Sequence, residues 1–261
     1  MKLAFSTLGC PDWSLKYSVE QAKKYGFQAV EIRGIKDCLR ADTISELLPE
    51  SREESLQYAG ENGISFCCLD ASAAFHEADK RDENYEEAMA TVRLASECNI
   101  PYVRIFGNHL VTDNEDTEIA DIAAVIRKLC TDAEPLEVTI LLEVHGDFNT
   151  SERILKTAQA VDCRNFGIVW DIQHSREDYQ SFWKRTKHLI RHVHRKDSIQ
   201  GALCNTGEGA LPVSAIVCML ENDNYDGFLS LEWEKRWHPE LRDAEEEFPS
   251  FVKVMNEFLQ K

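Results

Sequence analysis

The sequence predicts an α/β protein folded as a single (β/α)8 barrel, with residues 1–261 forming one domain. Three observations predict it. Short β-rich runs alternate with longer amphipathic, charged segments. The alternation repeats eight times. No Pro/Gly/Ser-rich linker, low-complexity stretch or further repeat interrupts it. The same alternation allows one rival architecture, an open doubly wound sheet with extra strands. A length of 261 residues suits one large barrel as well as two average domains.

Taken in order, the strands are read at Leu3–Ser6, Ala29–Ile32, Ser65–Asp70, Tyr102–Phe106, Thr139–Val144, Gly167–Asp171, His192–His194 and Leu229–Trp233. Turn signals bound each of them. The helices lie between. Ser18-Val-Glu-Gln21 has the spacing of a capping box, and Gly26 stands where a C-terminal cap belongs. Ser51-Arg-Glu-Glu54 repeats the box, and Asn62-Gly63 ends that helix. Tyr85–Cys98 carries Ala88, Val92 and Ala95 at helical spacing, and Thr117–Cys130 carries an apolar stripe from Ile119 to Leu129. Leu155–Val161, Tyr179–Lys187, Val213–Leu220 and Glu245–Leu259 complete the set. The most charged stretch, Glu234–Glu247, reads as loop and solvated helix face.

Lys plus Arg number 29 and Asp plus Glu 46, a formal charge of 29 − 46 = −17. Hydrophobic residues make up 43% of the chain, enough for a large core. The acidic balance argues against nucleic-acid partners, which need clustered Lys and Arg, and against an anionic membrane surface. No window approaches 18 consecutive apolar residues, and the opening MKLAFSTLGCPDWS reads as strand and turn rather than a secretory leader. Nine cysteines, an odd number without a CxxC pair, suit a reduced cytoplasmic protein with buried structural thiols.

Polar residues that end apolar strands mark where chemistry gathers in such folds. The last four strands show a regular pattern. Thr139-Ile-Leu-Leu-Glu143-Val-His145 ends in Glu and His, and Phe166-Gly-Ile-Val-Trp-Asp171-Ile-Gln-His174 ends in Asp and then His. Ile190-Arg-His192-Val-His194-Arg-Lys-Asp197 ends in His and charged residues, and Phe228-Leu-Ser-Leu-Glu232-Trp-Glu234 in Glu. Taken singly, a Glu at a strand end is ordinarily a loop residue or cap, and a His a hydrogen-bonded structural residue. Repetition on four consecutive strands favours a joint role. Alternation puts Glu143 with His145, His192 with His194, and Ser230 with Glu232 and Glu234. With those faces inward, Glu143, Asp171, a histidine and a glutamate converge at one end of the barrel. Spacing leaves open the choice between His192 and His194, and between Glu232 and Glu234. Three converging carboxylates repel one another, and a divalent cation resolves the repulsion. The donor set suits Mn²⁺ or Mg²⁺, with Co²⁺ or Zn²⁺ as further options.

The segments LLEVHGD, WDIQH, HVHRKD and SLEWEKRWHPE resemble the xylose isomerase-like TIM barrel superfamily of sugar isomerases and epimerases. LAFSTLGCPDWS and AVEIRG resemble its first two strands, so the resemblance spans nearly the whole chain. It implies a metal held by Glu143, Asp171, His194 and Glu232, with Asp197 completing an HxxD pattern. Mn²⁺ is the favoured ion. Glu143 and Glu232 are implied as the catalytic acid and base, transferring a proton beside the carbonyl of a hydroxy-ketone through a metal-bound enediolate. His174 is implied to contact substrate and His145 to stand just beyond the fifth strand. His76, Trp13 and Lys196 are further candidates for substrate binding, and His109 could line the same pocket. Each has a bland alternative as a surface or packing residue. Lys235, Arg236 and His238 could favour an anionic substrate, but a solvated run explains them as well. Gly207-Glu-Gly209 matches a GEG segment of the family and is a weak phosphate signal.

The implied partner is a small sugar, sugar phosphate or polyol, with no nucleic acid and no membrane; the resemblance also suggests a homo-oligomer. A dehydratase of inosose or dehydroshikimate type would use the same metal and expel a hydroxyl. An abasic-site endonuclease would need three zinc ions and a basic surface. A non-catalytic small-molecule-binding barrel would leave the carboxylates unexplained.

Overall fold

The computed structural model describes residues 1–112 and 114–259. Eight parallel strands close into a barrel: β1 (Lys2–Ser6), β2 (Ala29–Ile32), β3 (Ser65–Ala74), β4 (Tyr102–Phe106), β5 (Thr139–Glu143), β6 (Phe166–Asp171), β7 (Ile190–Arg195) and β10 (Phe228–Leu231). A hairpin, β8 (Asp197–Ile199) and β9 (Ala202–Cys204), stands apart from the barrel. Helices follow the strands: α1 (Leu15–Tyr25), α2 (Pro49–Glu61), α3 (Arg81–Glu97), α4 (Glu115–Ala133), α5 (Ser151–Val161), α6 (Tyr179–Thr186), α7 (Val213–Asn222) and α8 (Ala244–Leu259). The (β/α)8 expectation therefore holds, and the open-sheet rival does not. None of these helices is long and apolar enough to cross a membrane. No disulfide joins the nine cysteines.

Contacts divide the chain into two compact units. The first comprises Met1–Leu39, Ile44–Cys67 and His192–Lys261; the second comprises Arg40–Thr43 and Cys68–Arg191. In the first, β1 pairs with β2 and β10, and β10 with β7, in register Ala4↔Ala29, Leu3↔Leu229 and His194↔Ser230. Helix α8 seals this unit with Phe248, Phe251 and Met255, all fully buried. Phe5 packs at 4.5 Å between ring centres on Phe248, and Phe27 stacks on Phe251 at 5.9 Å. Trp13 joins the same cluster, edge-on to Phe5 and Phe248, and its Nε1–H donates to Glu245 at 3.2 Å. It is 8% exposed. That burial corrects the expectation of a sugar-stacking ring, because little of its face is open to a ligand.

In the second unit β3 to β6 run side by side, in register Leu69↔Val103, Val103↔Ile140 and Leu142↔Ile168. Strand β5 leaves the sheet through Gly146, where φ is +58°. A Cβ there would lie 2.3 Å from the carbonyl oxygen of Asn108, so only glycine fits this turn.

The sequence-read boundaries differ at identifiable places. Helix α1 starts at Leu15 because Ser14, not Ser18, caps it by accepting from Tyr17 N at 3.2 Å. Ser18 is buried within the helix and donates to the Ser14 carbonyl at 3.0 Å. Helix α2 starts at Pro49, whose fixed φ suits the first helical position, so the Ser51 box is not the start. Strand β3 continues four residues past Asp70, and β7 begins two residues before His192. Strand β10 ends at Leu231, which leaves Glu232 just beyond it. Glu247, read as solvated, is fully buried and accepts from Thr206 N at 2.8 Å.

Glu118 in α4 holds the segment before that helix. Its carboxylate accepts from Val111 N at 2.8 Å, Thr112 N at 2.9 Å and the Thr112 hydroxyl at 2.9 Å. Burial alone would raise its pKa, but these hydrogen bonds outweigh burial and the net direction is down. The folded-state pKa lies below the unfolded one, so the contribution is full above the unfolded value and is lost as pH falls through the folded value. Glu118→Gln is expected to cost on the order of 2 kcal/mol at pH 7. It should also flatten the acid limb of stability, which denaturant titrations at a series of pH values would reveal.

Candidate functional site

Four neighbouring strands of the barrel end alike. Glu143 is the last residue of β5, Asp171 the last of β6, His194 the penultimate residue of β7, and Glu232 follows β10. All four are buried. Apolar strand interiors carry each polar side chain inward as the chain leaves the sheet, so their positions follow from strand length and alternation.

In the first unit the centre is Glu31, in β2 and fully buried. Its Oε2 lies 3.0 Å from His192 Nε2 and its Oε1 2.6 Å from His194 Nε2. The Ser230 hydroxyl donates to the same carboxylate. Burial would push the Glu31 carboxyl up, but the two adjacent imidazoles outweigh it and hold the group well below its ordinary value. Sequence reasoning used Glu31 only as part of AVEIRG. A charged residue inside a four-residue apolar strand was the signal that could have found it.

His194 Nδ1 faces Glu232 Oε1 at 3.5 Å, whereas His192 sits two residues deeper, opposite Phe228 in register. Lys196 is buried and pairs with Glu232, and with Glu234 at 2.7 Å. Glu234 is more exposed and also lies 3.7 Å from His238. Lys235 donates to the Pro239 carbonyl at 2.8 Å and pairs with Asp243 at 2.9 Å, while Arg236 donates to the Lys36 carbonyl. These two cations tie the last loop down.

The GEG loop proves to be a cradle for a carboxylate of its own chain. Gly207 N donates to Asp197 Oδ2 at 2.9 Å, and Arg195 Nη2 donates to the same oxygen at 2.8 Å. A Cβ on Gly209 would fall 1.6 Å from Asp197 Oδ1. Arg195 also donates to the Thr206 hydroxyl at 2.8 Å. Asp197 thus takes the place that a phosphate reading would give to a ligand.

In the second unit Glu143 meets Arg104, a fully enclosed guanidinium on β4. Arg104 Nε lies 3.0 Å from Glu143 Oε2, Nη2 lies 3.4 Å from Asp70 Oδ2, and Nη1 donates to the Ala71 carbonyl at 2.9 Å. One cation therefore serves two buried carboxylates, which offsets much of their desolvation cost. Neither Arg104 nor Asp70 was singled out from sequence, although an Arg in the centre of YVRIF is the same kind of signal as Glu31. Asp171 Oδ1 accepts from Gln173 N at 2.8 Å and His174 N at 3.2 Å, turning the chain so that His174 Nε2 stands 3.7 Å from Asp171 Oδ2. The His145 ring lies 4.4 Å from the His174 ring and 5.1 Å from Phe106. His76 packs edge-on to His109 at 5.8 Å and pairs with Glu77 at 3.5 Å. His109 is mostly exposed and pairs with Asp147. The structure thus brings His174 beside Asp171 and His145 against His174, joins Lys196 to Glu232, and packs Trp13 in the aromatic cluster.

No curated protein sequence matches the chain significantly. Among solved structures, the probable 3-DHS dehydratase AsbF involved in petrobactin synthesis from Bacillus anthracis is similar, with a TM-score of 0.82 and 18% identity over 98% of this chain and 99% of that one. The IolI protein with a bound zinc atom has a TM-score of 0.81 and 20% identity over 100% and 98%. D-psicose 3-epimerase from Clostridium cellulolyticum H10, solved with D-tagatose, has a TM-score of 0.77 and 18% identity over 100% and 98%. At these identities the likeness is one of fold. Residues 19–254 match the family described as xylose isomerase-like TIM barrel, and the chain belongs to that family.

Proposed function

We propose that this chain is an enzyme that isomerises or epimerises a small sugar or sugar phosphate, with one divalent cation held by Glu143, Asp171, His194 and Glu232. One observation carries the reading: four strands that neighbour one another in the barrel each bring a buried metal-type ligand to the carboxyl end. Barrels of this architecture bind their ligands at that end. The donors fit the group, since three carboxylates and one imidazole form a hard, oxygen-rich set suited to Mn²⁺ or Mg²⁺, with Co²⁺ or Zn²⁺ as substitutes. Membership of the family supports it, as does the zinc of the IolI structure.

A bound cation would supply Lewis-acid polarisation of a carbonyl and its neighbouring hydroxyl. The proton work falls to Glu143 and Glu232. One carboxylate takes the proton from the carbon beside the carbonyl, and the C–H electron pair moves into the carbonyl group. The other returns a proton to the opposite face of that carbon, giving an epimer, or a proton returns to the neighbouring carbon, giving the aldose–ketose isomer. Arg104 and Lys196 hold these two carboxylates in place. His174, set by the turn at Asp171, donates to a substrate oxygen, and His145 and His76 extend the binding edge of the second unit.

Elemental mass spectrometry of protein purified without chelator is expected to find about one divalent ion per chain, lost in Asp171→Ala. Three zinc ions per chain would indicate an endonuclease instead, and no metal after soaking would overturn the proposal. With ketose sugars as substrates, Glu143→Gln and Glu232→Gln should each slow exchange of solvent deuterium into substrate by about a hundredfold or more. Exchange retained by both variants would reject the acid–base assignment. A product lighter by one water would identify a dehydratase.

A further inference from the structure

Two of the nine thiols meet in the second unit, just before β6 begins. Cys130 lies in the last turn of α4 and is fully buried, and Cys163 is half-buried in the segment that joins α5 to β6. We propose that Cys130 and Cys163 are a redox pair, which a peroxide converts into a disulfide that staples α4 to the start of β6. The proposal is independent of the function given above, because Asp171 stands at the opposite end of β6.

The backbone is anchored on both sides of Cys163. Before it, Arg127 of α4 donates from Nε to the Val161 carbonyl at 3.1 Å and from Nη2 to the Ala160 carbonyl. After it, Asn165 donates from Nδ2 to the carbonyl of Cys130 itself at 2.8 Å and to that of Val138 at 3.2 Å. Asp162, with φ +47° and ψ +49°, turns the chain out of α5 between these anchors. Cys163 is thereby laid across the turn of α4 that runs from Arg127 to Cys130. Its Sγ lies 3.9 Å from the Arg127 carbonyl oxygen and 3.3 Å from that of Val161. It also stands within hydrogen-bonding reach of the Cys130 thiol, and burial, then this neighbour, push the Cys130 thiol up. Cys130 therefore stays protonated and shielded, and Cys163 is the partner that solvent reaches.

The oxidation balances in two steps. The Cys163 sulfur attacks a peroxide oxygen, the O–O bond breaks, and a sulfenic acid and one water form. The Cys130 sulfur then attacks the Cys163 sulfur. The S–S bond forms as the S–O bond breaks, and the hydroxyl leaves with the Cys130 proton as a second water. Two thiols are oxidised and hydrogen peroxide is reduced to water. The amino end of such a barrel serves stability rather than chemistry, so the bond ties two elements together without touching the ligand end.

The test treats the native chain with hydrogen peroxide, blocks the remaining thiols with an alkylating reagent and maps the peptides by mass spectrometry. The expected product is a cross-linked peptide that joins Cys130 to Cys163 and is opened again by dithiothreitol. In Cys130→Ala, a near match in volume, Cys163 is expected to stop at the sulfenic acid, which dimedone traps. Disulfide formation is expected to raise the melting temperature of the native chain by about 5 °C, and Cys163→Ser should show no rise. Cys163 carried to sulfinic acid without a cross-link, or left reduced while the exposed Cys218 oxidises, would overturn the pair. A cross-linked chain that melts no higher than the reduced one would overturn the staple.

Discussion

A carboxylate drawn into an apolar interior is expensive unless protein groups replace the water it loses, and the carboxyl ends of these strands carry several. Side chains of the protein answer them. Glu31 takes two imidazoles and a hydroxyl. Glu143 and Asp70 share Arg104, and Glu232 has Lys196. Most of the polar architecture follows from this need. The buried cations stand beside carboxylates, and the buried histidines have one nitrogen committed.

The same constraint organises the segment after β7. Arg195, Asp197, Thr206 and Glu247 form a chain of buried polar contacts that runs through the GEG loop to α8. Burial pulls the Arg195 guanidinium below its ordinary value, and Asp197 and Glu247 act in the opposite direction. The network pins the strand that carries His192 and His194, and the absence of a side chain at Gly209 lets Asp197 approach. An arrangement that looks like a ligand-binding loop in sequence is therefore a structural latch.

Beside the donors of the proposed cation site stand side chains that would hold them still: Arg104 against Glu143, Lys196 against Glu232 and Glu31 against His194. Orientation of this sort matters because a carboxylate that moves a proton, or an imidazole that holds an ion, must keep its geometry without help from the ligand.

Periodicity and strand-end composition by themselves determined the barrel, the order of its strands and helices, and Glu143 and Asp171 as strand-end residues, while His194 over His192 and Glu232 over Glu234 came from the family resemblance alone. Those features are local: an apolar run that ends in a polar residue declares both the strand and the place where it stops. Helix starts were less legible at Ser14 and Pro49, because several residues nearby could cap and only the path of the chain selects one. The β8–β9 hairpin escaped notice because its strands are three residues each. Only the tertiary structure decided that Trp13 packs in the core, that Asp197 fills the GEG loop, and that His194 rather than His192 faces Glu232. It alone revealed Glu31 and Arg104. Their partners lie far away in sequence or on another strand, and the free energy of a buried charge depends on which groups surround it, not on its neighbours along the chain.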